Sequence, residues 1–192
     1  MKLARIMVVG IAVVTLAACS AVIVEEPMGT EIVEVEADEW EGTWVGPGGE
    51  TFTIAVADPE SGTLWVSVIE DGEIEDGESE PVLRSQTVYV RDAEHLGKKQ
   101  VLLSIEEGDG YAWALVVRDD EHAIFHAPDV DKFRALVEEG KLPGTVRGGN
   151  EWGDGNVYLG PLEPEHLEMI FGRDDDSLFD WGSPEVMRRV AR

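Results

Sequence analysis

Two histidines, His122 and His126, lie four residues apart, with Asp129 and Asp131 just beyond them. On an extended strand, positions 122, 124 and 126 share one face, so both imidazoles could reach a common ion. Ile124 stands between them on that face, however, and Pro128 turns the chain before either acid. Those two facts weigh against a metal centre there. Hydrolytic chemistry finds less support still: neither a G-x-S-x-G elbow nor an H-E-x-x-H helix is present. Carboxylates are so abundant that no pair stands out for acid–base work on a glycoside. No residue is therefore assigned a catalytic role, and no cofactor is implied. The glycine-rich loop from Gly148 to Gly155 lacks the Gly-Lys-Ser/Thr ending of a phosphate cradle, and Glu151 and Asp154 would repel phosphate. What that loop offers is Trp152, a candidate binding residue. Residues 70–80 carry seven acids, but Asp76 stands where an EF-hand loop needs glycine.

The remaining reactive group is Cys19, the only cysteine in the chain. Lys2 and Arg5 give a positive opening, Ile6 to Leu16 an apolar run of export-signal length, and Leu16-Ala17-Ala18 leads into Cys19. This stretch resembles the lipobox of bacterial lipoproteins over residues 1–20. The resemblance implies cleavage before Cys19, a diacylglyceryl group on its sulfur, and a lipid anchor in a membrane of the cell envelope. Ser20 at the next position, in place of an aspartate, implies the periplasmic face of the outer membrane. The competing reading is an ordinary signal peptide cut after small residues. A spanning helix fits poorly, because the run is shorter than the roughly 20 residues a bilayer core requires.

These boundaries divide the chain into a signal peptide (1–18), an acylated N-terminus with an acidic tether (19–39) and a single β-rich domain (40–192). A domain of that size buries roughly 70% of its unfolded surface and needs no disulfide, for which Cys19 has no partner. The formal net charge is −25, and loss of Lys2 and Arg5 with the leader makes the remainder more negative still. Such a field repels nucleic acid and anionic membrane surfaces, and nucleic acid is excluded as a partner. The acidity itself fits either adaptation to salt or a docking surface for a basic partner or divalent cations.

The elements that must position any site are mostly strands. Period-two alternation marks Thr51–Val56, and strand signals recur through Leu64–Ile69, Val82–Val90, Gln100–Ile105, Tyr111–Val117 and His122–Phe125, with polar turns between them. After Pro128, Asp129 caps a predicted helix that Gly140 stops, and a second short helix fits Pro164–Phe171. A closing strand is expected over Val186–Val190. At the head of this series Gly42-Thr43-Trp44 resembles the G-x-W opening of lipocalins and other calycins, in which the tryptophan plugs one end of a barrel. The expected fold is β-rich α+β: an antiparallel lipocalin-like meander, as barrel or strongly bent sheet, with two short C-terminal helices on its open side. Phe52, Ile54, Leu64, Val66, Val68, Leu102, Trp113 and Leu115 are expected to point inward and fill it. The function expected is that of a non-catalytic envelope lipoprotein that binds an envelope protein or a small apolar ligand. The alternative is an enzyme whose site assembles from His122, His126 and nearby acids.

Overall fold

The alternating segments fold as the pattern predicts in the computed structural model, which describes residues 20–71, 81–95, 98–148, 155–171 and 178–191. The chain opens with β1 (Val22–Val24), β2 (Glu31–Ile32) and the single turn α1 (Ala37–Trp40). The meander follows as β3 (Gly42–Val45), β4 (Thr51–Asp58), β5 (Thr63–Asp71), β6 (Pro81–His95), β7 (Lys98–Glu107), β8 (Gly110–Arg118) and β9 (His122–His126). Then come α2 (Val130–Glu138), β10 (Gly144–Arg147), β11 (Asn156–Leu159), α3 (Pro164–Phe171) and β12 (Glu185–Ala191). Strands β3 to β9 pair antiparallel in sequence order; β12 lies between β3 and β9, and the β8–β9 pairing closes an eight-stranded barrel. This is the lipocalin-like barrel of the expectation.

Alternate residues fill the interior. Trp44, Phe52, Leu64, Val66, Val90 and Phe125 meet there with the small Ala114 and Ala123 opposite, a large–small complement that lets one core close. Asp129 caps α2 by accepting from the Lys132 backbone N–H (3.3 Å), and Gly140 ends the helix in the left-handed region at φ +69°.

Strand β8 is buried on both faces. Ala114 and Val116 point into the barrel, whereas Trp113 and Leu115 point out of it into a second core. There the Trp113 ring meets Phe133 of α2 and Phe179 edge-on, at centroid distances of 5.9 and 5.7 Å. The sheet β10–β11–β1 leaves the barrel along β8, and with α2 and α3 it covers the outside of β6–β8. This corrects the expectation for Leu102, Trp113 and Leu115, which belong to the second core. The helices flank the outer wall of β6–β8. Period two states which residues share a face; it does not state which face is inside.

The acidic tether is also corrected. Val22, Ile23 and Val24 form β1, all buried, paired in parallel with β11 and antiparallel with β8. Val35 is buried in the barrel core, and β2 extends the sheet along β6. Three consecutive apolar residues suit a strand covered on both faces. The acids that suggested a tether, Glu25, Glu26, Glu31, Glu34 and Glu36 among them, all face solvent.

Candidate functional site

One end of the barrel is sealed by aromatic rings and arginines. The Trp44 indole N–H donates to the Trp40 carbonyl (3.2 Å), so α1 and β3 are joined through the two tryptophans of Trp40-Glu41-Gly42-Thr43-Trp44. The Arg189 guanidinium of β12 lies 4.9 Å from the Trp44 ring centre and donates to the carbonyls of Asp38, Glu39 and Glu41. Arg118 of β8 lies 4.6 Å from the Trp40 ring centre and pairs with Glu39. Each cation rests on an aromatic face; Arg189 closes the seam between the first and last barrel strands, and Arg118 fastens α1 to β8.

The interior holds a cavity of about 40 Å³, lined by Trp40, Trp44, Ile54, Leu64, Phe125 and Met187 among others. A dry cavity that takes benzene measures about 150 Å³, and one liquid water occupies about 30 Å³. The space is small beside a benzene-sized cavity, and smaller still beside a fatty-acid chain. Gln86 of β6 points inward beside Val66 and Val88, which line this cavity, and its amide oxygen has no partner among the described residues.

The structure places His122 and His126 on one outer face of β9, with Ile124 between them, but gives them separate tasks. His122 is half exposed and sits 3.4 Å from Asp119. His126 is buried under the Trp181 ring, 4.0 Å between centroids, with Nδ1 3.4 Å from the Asp180 carbonyl. Asp129 and Asp131 turn to Lys132 and Arg134 within α2. Among the described residues no three potential metal ligands cluster. The other buried polar side chains there are Asp92 and Ser104. Lys99 bonds Asp92 (2.9 Å) and also Glu31; these bonds raise its pKa and clasp β2, β6 and β7. The Ser104 hydroxyl accepts from the Met28 backbone N–H. His126, Asp92 and Ser104 are each tied to a structural partner. Trp152, Cys19 and most of the acidic run at 70–80 lie outside the described residues.

What remains for recognition is the uncovered wall. On β3 to β6 the outward rows are Thr43–Thr53–Ser67–Ser85, then Ala55–Trp65–Thr87, then Ile69–Leu83. The Ser67 and Ser85 hydroxyls bond each other at 2.7 Å. Trp65 is 59% exposed, Ile69 69% and Leu83 67%. None of these residues is charged, in a chain with 40 acids. Sequence reasoning passed over this face, although a signal was present: Thr51–Ala57, Thr63–Ile69 and Val82–Val90 contain no acid. Among the described residues no helix is long and apolar enough to cross a membrane. No family model, curated protein or solved structure matches the chain, so the case for function rests on these surfaces.

Proposed function

We propose that this protein is a non-catalytic lipoprotein of the bacterial cell envelope, anchored through Cys19, that docks an envelope protein on the outer wall of β4–β6. The observation that carries the reading is the uncharged wall with its exposed Trp65, Ile69 and Leu83. An apolar patch of this kind on an otherwise strongly charged surface is the usual mark of a protein contact. The partner that fits has a neutral contact face with basic side chains around it, because the chain as a whole carries a net charge of −25.

The test is crosslinking in the native envelope. Benzoylphenylalanine in place of Ser67 should give one discrete adduct, lost when Trp65→Ser and Leu83→Ser are added. The same group in place of Glu168 on α3 should give none. Equal or absent adducts at the two positions would overturn the docking wall. The ligand-carrier reading makes the opposite claim about the interior. With a cavity of about 40 Å³, fatty acids should produce no saturable quenching of tryptophan fluorescence. Tight one-to-one quenching would restore the carrier.

A further inference from the structure

The position of β1 fixes where the anchored end of the chain leaves the barrel. One edge of β8 is shared: Tyr111 and Ala112 pair with β1, whereas Leu115 to Arg118 pair with β9. Chain preceding Val22 and chain following His126 therefore run toward each other along that edge, and both must turn away at the fork. Only Ser20 and Ala21 separate Cys19 from β1, so Cys19 lies within about 11 Å of Val22 even at full extension. The Ala21 N–H is itself fixed to the Asn156 side chain (2.8 Å).

The outer surface next to the fork is apolar. Val117, Ile124 and Val186 pair side by side across β8, β9 and β12, and Trp181 caps the row at His126. Val117 is 47% exposed, Val186 40% and Val190 46%. The ionisable groups on these outward positions are Arg188, His122 and His126, and none is an acid. Acids border the strip only at its ends: Asp119, Asp120 and Glu121 in the turn before β9, Asp180 before β12, and Glu185 at the start of β12. The carboxylates of Asp119 and Asp180 are turned onto backbone N–H groups, of Glu121 and His122 in one case and of Gly182 and Ser183 in the other.

We infer that this strip of β8, β9 and β12 is the surface that lies on the lipid bilayer. The inference rests on acylation of Cys19. A lipid at Cys19 leaves the domain no slack, so some face must rest on the headgroups. The adjacent face is free of acid, carries an arginine suited to anionic headgroups, and presents Trp181 and valines for shallow burial. The docking wall of β4–β6 lies further round the barrel and stays open to a partner.

Thiol protection tests the placement, since acylated Cys19 carries no competing thiol. The full-length protein with Val117→Cys, Val186→Cys or Glu168→Cys is reconstituted in vesicles of phosphatidylethanolamine and phosphatidylglycerol. Labelling by a water-soluble maleimide is compared with that in detergent. The strip positions should react slower by an order of magnitude in vesicles, with Glu168→Cys unchanged. Equal rates at all three positions overturn the inference, as does protection that persists in detergent, which would mean that a second copy covers the strip. Mass spectrometry of the wild-type protein separates the two claims: a missing acyl mass removes the anchor and the placement together, whereas an acylated protein with open strip positions removes only the placement.

Discussion

Gly42 shows how much one residue decides at the sealed end. Its φ of +139° is closed to most side chains, and a Cβ there would stand 2.4 Å from the Ala191 carbonyl oxygen. Gly42→Ala should destabilise the fold by about 1–3 kcal/mol, read as a lower urea midpoint. Arg189→Leu keeps a stem over Trp44 but removes the donors to three carbonyls, and should lose about 1–3 kcal/mol. A midpoint unchanged in both variants would show that the seal is ornamental. Gly42 and Trp44 were legible in sequence because they are neighbours; Arg189 was not, since it meets them only when β12 closes on β3. Two exposed carboxylates give a pH signature. Hydrogen bonds from the Glu121 and His122 backbone hold Asp119 below the usual carboxylate range, and bonds from Ser61 do the same for Asp58. A depressed folded pKa adds stability above the unfolded value, about 3.9, and loses it as pH falls through the folded one. Stability should therefore fall between about pH 5 and pH 2, and Asp119→Asn, which keeps the acceptor without the titration, should flatten that slope. A slope identical to wild type would remove Asp119 from the account.

Among the elements, β1 and β8 separate what sequence pattern conveys from what it hides. The strands, both C-terminal helices and the closing strand were legible from period, caps and breakers. The run Tyr111-Ala-Trp-Ala-Leu-Val-Val117 held a further message, because a strand without polar alternation is covered twice. Its second cover, formed by α2, β11 and β1, comes from segments distant in the chain, so no local signal could identify it. In β1 the acid-rich surroundings masked three apolar residues. A free tether would be indifferent to Val22→Asp. A strand buried between β8 and β11 should lose about 4 kcal/mol or more, or fail to fold. Leu115→Ala, which leaves the barrel interior intact, should still destabilise by about 2–5 kcal/mol, with barrel and flanking sheet unfolding in a single transition.

For the whole molecule, acids face solvent nearly everywhere except on the outer wall from β9 round to β6. Self-repulsion within such a charge destabilises the compact state, and salt relieves it as the Debye length shrinks from about 10 Å at 0.1 M to 3 Å at 1 M. Sodium chloride should raise the melting temperature, and calcium chloride at equal ionic strength should do no more. An extra gain with calcium would point to a specific site, and indifference to both would show the charges too dispersed to matter. The ring order has a consequence in time. β12, residues 185–191, is the staple between β3 and β9, and β1 waits for β8 and β11. In the proposed export, β1 would lack its second partner, β11, until residue 159 is through, and the barrel would not shut until residue 191 follows. Non-local closure of this kind is slow, which gives the fold a built-in delay. A chain cut short at Pro184 should expose the edges of β3 and β9 and aggregate, so the last seven strand residues act as the latch of the barrel.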